Sequence, residues 1–177
     1  QTFVFEAVAG GGNQPPMTAS DMANVSEDCK LLAWGNVLAN DHDPEGARLS
    51  VTDAGIRRGE YGWLKLLPNG DYAYVLNNAS AKVQGLGAGD SAVERFVYTA
   101  SDGQASAEGE LAITISGRND APVLAKALAD VQLARGKAFS WRIPEGSFKD
   151  IDRTDTLSYT ATLSNGKPLP SWLKFDA

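Results

Sequence analysis

The sequence predicts an all-β protein built of tandem β-sandwiches, the second one truncated. Three observations carry that reading. Hydrophobic residues make up 43% of the chain, enough for a core, yet they fall in short runs. Glycine is abundant at 18 residues and clusters with Asn, Asp and Ser between those runs, as turns do between strands. Between residues 15 and 120 the runs number about seven, the count of a β-sandwich.

Taken in order, residues 2–5 form a β-type run and residues 9–14 a Gly-rich linker closed by Pro15-Pro16. The order strand, Gly, Asn13, Gln14, Pro15 imitates the later junction Gly117-Arg118-Asn119-Asp120-Ala121-Pro122, a weak internal repeat. Residues 1–14 are therefore expected to be the tail of a preceding module or its linker. Residues 15–120 form one complete module and residues 121–177 part of another, the chain being a piece of something longer. Pro122 ends any ladder that runs into the junction, because it lacks an N–H.

Within the first module, residues 23–28 read as a strand ending in two acids, Glu27 and Asp28. Residues 31–38 read as a strand interrupted at Gly35. Residues 49–52 alternate, with Leu49 and Val51 on one face. Strands 62–67 and 72–76 flank Pro68-Asn69-Gly70-Asp71, a hairpin turn in which Pro pre-sets φ and Asn-Gly tolerates positive φ. The tyrosines of the returning strand share a face. Residues 80–89 are expected to include a helical turn. Strands 93–100 and 107–116 are joined through Ser101-Asp102-Gly103-Gln104. In the second module, residues 131–133, 139–143 and 157–161 read as strands around the acidic loop 148–155. Trp63 and Trp141, inside alternating strands, are expected in the core. A half-covered second sandwich would leave Trp172, Leu173 and Phe175 exposed, and dimerisation through that module is the expected consequence.

The net charge of −6 and pI near 4.8 exclude a nucleic-acid partner, which needs a basic stripe. No run approaches the length of a membrane span. The single cysteine, Cys29, leaves no internal disulfide, so bracing must come from elsewhere. Both modules place an Asp-x-Asp in a loop after an early strand: Asp41-His42-Asp43 and Asp150-Ile151-Asp152. In extended backbone alternate residues face the same way, so both carboxylates meet one cation while His42 turns to solvent and Ile151 to the core. Two carboxylates alone repel. Calcium takes six to eight oxygens, so a competent site must recruit Asn119, Asp120, Glu27 or Asp102. Solvated turn acids are the plain alternative for any single Asp; the repetition of the loop favours calcium.

Several stretches together resemble a known repeat. They are Val25-Ser26-Glu27-Asp28, residues 35–43, Tyr61-Gly62, residues 69–74, residues 86–91, residues 96–99, Ser101-Asp102-Gly103 and Asn119-Asp120-Ala121-Pro122. In this order they resemble the VCBS repeat of large bacterial RTX-type adhesins and exoproteins. Residues 148–152, 155–159 and 169–175 look like the start of a dystroglycan-type cadherin-like domain. The resemblance implies tandem immunoglobulin- or cadherin-like sandwiches, stiffened by calcium at their junctions, in a secreted or surface-tethered, extracellular rod. By motif it assigns Glu27, Asn119, Asp120, Asp150 and Asp152 to the junction, with Asp102 an addition. It turns Asp41 and Asp43 toward the preceding junction, where Asn13-Gln14 replaces the usual Asn-Asp and Glu45 is the one compensating acid. Cys29-Lys30 departs from the usual Gly after the acidic pair. The implied partners are neighbouring repeats of the same chain and surface glycans or proteins.

Other chemistries fare worse. His42 and Cys29 lack the partners of a zinc site and have no support as a nucleophile pair. Gly10-Gly11-Gly12 leads into no helix with a lysine, so it is no phosphate loop. Asp43-Pro44 is an ordinary turn pair before it is a cleavage site. No acid/base pair falls in a defined pocket, so the chain is expected not to be an enzyme. The competing function is carbohydrate binding through exposed aromatics, with Trp34 and Trp172 the candidates.

Overall fold

The computed structural model describes residues 11–134 and 136–176; the expected run at residues 2–5 and the start of the linker lie outside them. The first module is a sandwich of two four-stranded sheets. One has the order β1-β8-β7-β3: β1 (Asp21–Ser26), β8 (Ser106–Ser116), β7 (Ser91–Ser101) and β3 (Ser50–Val51). The other has the order β2-β6-β5-β4: β2 (Leu32–Asn36), β6 (Asp71–Leu76), β5 (Gly62–Leu66) and β4 (Gly55–Arg58). All pairings are antiparallel except β1 with β8, which run parallel with Ser26 opposite Ser116.

Period-two alternation builds the core. Leu64 and Leu66 from β5, Tyr72, Tyr74 and Leu76 from β6, Phe96 and Tyr98 from β7, and Leu111, Ile113 and Ile115 from β8 point inward and are buried. The tyrosines share a face, as their spacing requires. The β5–β6 hairpin turns where expected, with Gly70 at φ 87°. Gly35 makes no bulge: all five residues of β2 stay paired with β6, and a Cβ at Gly35 would lie 2.9 Å from the Tyr72 ring. Residues 80–90 carry a single i→i+4 bond, Gln84 N–H to the Ser80 carbonyl, within a run of turns that does not lengthen into a helix. No helix among the described residues is long and apolar enough to cross a membrane.

Other expectations fail as well. Trp63 is 40% exposed, because the inward residues of β5 are Gly62, Leu64 and Leu66 and period two sends position 63 outward. The second module shows two short strands, β9 (Val123–Leu124) and β10 (Phe148–Lys149), paired antiparallel. The expected strands at 131–133, 139–143 and 157–161 do not form, since no ladder partner lies beside them and strand residues need a neighbour to be strands. Val131, Leu133, Phe139 and Trp141 are exposed, Ile143, Leu157 and Tyr159 are half-buried, and Ile151 is exposed rather than in a core. Phe148 and Tyr159 do meet edge to face at 5.7 Å, and Ser147 is buried.

Strand direction positions the acids. β1 and β8 both run toward one pole, where Glu27, Asp28 and Gly117 follow them; β7 starts there, just after Asp90. The turn after β7 therefore sits at the opposite pole.

Candidate metal centre at the module junction

Glu27 leaves β1 fully buried. Its backbone N–H donates to the Ser116 carbonyl (3.0 Å), and its Oε2 accepts the Arg118 N–H (3.2 Å). Those bonds hold the carboxylate against the junction but leave Oε1 buried without a partner. Asp120 follows in the junction itself. Its N–H donates to Asp152 Oδ2 (2.9 Å), which ties the first module to the Asp-x-Asp loop of the second. Asp150 Oδ1 accepts the Asp152 N–H (3.1 Å), an Asx turn that presents both carboxylates.

The same loop docks on the glycine-rich run 85–90. The Arg153 N–H donates to the Gly85 carbonyl (3.3 Å), and the Thr154 hydroxyl donates to Asp90 Oδ2 (3.2 Å). A Cβ at Gly117 would lie 2.2 Å from the Leu86 carbonyl oxygen, so only glycine lets the junction pass this loop so closely.

Two acidic triplets result, Glu27–Asp28–Asp120 and Asp150–Asp152–Asp155, each offering oxygens within 4.8 Å of one another. The Asp120–Asp152 bond links them. Burial raises the pKa of Glu27 above the usual carboxylate range, against the Arg118 N–H that lowers it, and Asp120, Asp28 and Asp152 raise it further. Asp120 is raised by burial and then by Asp28, Asp152 and Asp150; Asp155 by burial and then by Asp152, Asp150 and Asp90. The three ion pairs among the described residues all lie elsewhere.

The residues fit a hard cation. Four buried side-chain oxygens among the described residues lack a hydrogen-bond partner, and three of them, Glu27 Oε1, Asp120 Oδ2 and Asp152 Oδ1, belong to this cluster. An orphaned buried carboxylate oxygen is costly, more so among like charges. An all-oxygen set without His or Cys matches calcium and not zinc.

Of the residues singled out from sequence, Glu27, Asp120, Asp150 and Asp152 come together. Asn119 is adjacent but exposed, its amide donating to the Asp120 carbonyl (2.5 Å). Asp102 does not join them. It lies at the far pole, where its Oδ1 accepts the Gln104 (2.6 Å) and Ala105 (2.7 Å) N–H groups and its Oδ2 the Asn13 amide (2.8 Å). Those bonds lower its pKa. Asp41 accepts hydrogen bonds within the sandwich, from the Ala19 N–H (2.8 Å) and the Tyr98 hydroxyl (2.9 Å); the preceding junction it is expected to face begins outside the described residues. Asp43 keeps one buried, unpartnered oxygen at that far pole, and Glu45 is engaged there by Gln14 through both oxygens. Sequence reasoning missed Asp28, Asp155 and Asp90. Asp28 adjoins Glu27 and, at φ 51°, turns the chain back on itself; Asp155 stands one turn beyond Asp152; Asp90 carries no local signal.

The chain belongs to the bacterial cadherin-like domain family, whose model matches residues 13–117. Residues 121–177 match the family described as "Putative Ig domain". No curated protein matches the chain. Among solved structures, the endo-fucoidan hydrolase MfFcnA4 of glycoside hydrolase family 107 and a single-residue variant of it are similar at 17% identity. The match covers 62% of this chain and 15% of those enzymes with a TM-score of 0.38, too distant to carry any argument about activity.

Proposed function

We propose that this chain is a non-catalytic, calcium-binding spacer and adhesion segment of a large extracellular bacterial protein, secreted or surface-tethered, in which calcium rigidifies the junction. The observation that carries the reading is the convergence of three buried, unpartnered carboxylate oxygens from both modules, Glu27, Asp120 and Asp152, with no cationic side chain among the described residues in an ion pair with them. The VCBS-like and cadherin-like motifs support the same reading, and neighbouring repeats are the natural partners.

When bound, calcium supplies the positive charge this oxygen set lacks. The chain's own residues do the rest. Glu27 is fixed by the Arg118 and Ser116 backbone, Asp152 by Asp120 and by the Asx turn at Asp150. Without a cation these carboxylates repel one another across the junction, and only a few direct bonds oppose that repulsion: the Asp120 N–H to Asp152, Arg153 to the Ala81 and Gly85 carbonyls, and the Thr154 hydroxyl to Asp90.

A calorimetric calcium titration with thermal melts in calcium and in chelator tests this. Saturable heat and a raised melting temperature, both lost in Asp120→Ala combined with Asp152→Ala, are expected, because a ligand of the folded state stabilises it. No heat and unchanged melts would mean that the acids are solvated turn residues and the chain a plain spacer.

A further inference from the structure

The outer face of the β2-β6-β5-β4 sheet is uncovered among the described residues, and it is unusual for this chain. Strand register places Trp34, Ala73, Lys65 and Ile56 in one row across the four strands, and Trp63 beside Arg58 in the next. Trp34 is 78% and Ile56 76% exposed. Trp34 and Trp63 stand two strands apart and two residues out of step. With ~4.8 Å between strands and ~3.4 Å per residue, their Cα atoms are about 12 Å apart. The small Ala73 between Trp34 and Lys65 keeps the surface low between them.

Charge separates this face from the rest of the molecule. The chain carries −6, yet the free charges here are Lys65 and Arg58. The one acid on the face, Asp71, is occupied at its edge by the amides of Asn36 (2.8 Å) and Asn69 (2.7 Å).

From this juxtaposition we infer that the face binds an acidic polysaccharide. The two indoles take the C–H faces of sugar rings along one extended chain, and Lys65 and Arg58 take its carboxylates or sulfates. An indole combines a large rigid apolar surface with few rotamers to freeze, which suits a flat, ring-shaped ligand. A guanidinium forks onto carboxylate or sulfate oxygens. A second copy of the chain fits less well: an isologous pairing would bring two faces of the same positive sign together. The inference does not depend on calcium, since the junction lies at a pole of the sandwich and this is its flank. It pairs Trp34 with Trp63, its neighbour on the same sheet face, rather than with Trp172 of the second module.

Affinity electrophoresis and calorimetry of the full chain should be run with a polyuronate oligosaccharide, a sulfated oligogalactan and a neutral cello-oligosaccharide. Saturable binding to at least one anionic oligosaccharide, at least tenfold tighter than to the neutral one, is expected, and the preferred arm identifies the acid group. Trp34→Ala should weaken it at least tenfold with an unchanged melting temperature, because the indole is exposed. Lys65→Glu should weaken the anionic arm and leave any neutral binding as it was. Retention of full affinity in Trp34→Ala, or absence of binding to all three, overturns the inference. So does a concentration-dependent dimer that Trp34→Ala dissociates, which would make the face a self-association surface.

Discussion

Replacing Glu27 by Gln should raise the melting temperature of the calcium-free protein and reduce the further rise that calcium produces. The two effects have opposite signs and one origin. Glu27 is fully buried, has one orphaned oxygen, and lies in a triplet whose oxygens are within 4.8 Å of each other. Two charges at that distance repel by about 3.5 kcal/mol at an effective dielectric of about 20. Water screens part of this, and the Gln amide brings new donors that need partners. A net gain of about 1 kcal/mol is therefore expected without calcium. For a domain of this size that is a rise of about 4–8 °C. Calcium at 100 times its Kd stabilises the wild type by about 2.7 kcal/mol. Losing one anionic ligand at a tenfold cost in affinity leaves the variant about 1.4 kcal/mol. Scanning calorimetry in chelator and in calcium reads both numbers. If Glu27→Gln melts lower than wild type in chelator while its calcium increment is unchanged, Glu27 is only a structural acceptor for Arg118, and the repulsion reasoning is wrong.

Other perturbations have equally definite outcomes. Burial holds the Asp21 carboxyl up at about 6 from 3.8, the Tyr98 hydroxyl opposing and Asp41 adding to the rise. With the folded value above the unfolded one, its protonated form stabilises the fold below about pH 4, and that contribution is lost as pH climbs through 6. The full difference is ~3 kcal/mol and, after solvent screening of a partly buried group, about 1–2 kcal/mol. In chelator, melting temperature should fall from pH 4.5 to 7.5, and Asp21→Asn should flatten that slope; an unaltered slope contradicts it. Glu27, Asp120 and Asp155 shift in the same direction, so lowering the pH should also weaken calcium binding, as titrations at pH 5 and 7.5 will show. Gly117→Ala sets a Cβ against the Leu86 carbonyl and should cost about 1–3 kcal/mol in denaturant unfolding.

The first module was legible because its signals agree. Asn69-Gly70 marks a hairpin, and inward residues recur every second position from β5 to β8. Trp63 was misread because its apolarity outvoted the period set by Leu64 and Leu66. The second module was misread for a different reason. Segments such as 139–143 carry strand propensity, but a strand exists only beside a partner, and propensity does not supply one. At the site, Glu27, Asp120, Asp150 and Asp152 came from motif. Asp102 was placed at the wrong pole, although strand direction contains the answer. β8 leads into the junction, β7 runs against it, and the turn between them must lie at the far end. The same counting brings Asp90, before β7, to the junction.

In the function proposed above, calcium fixes one geometry between the modules. Spin labels on Met22→Cys in the first module and Lys174→Cys in the second, with Cys29→Ser to remove the exposed native thiol, report that distance by pulsed electron resonance. A single narrow distribution in calcium that broadens in chelator, and stays broad in both when Asp120→Ala and Asp152→Ala are added, is the predicted result. The same distribution with and without calcium would mean that calcium does not set the geometry of the junction.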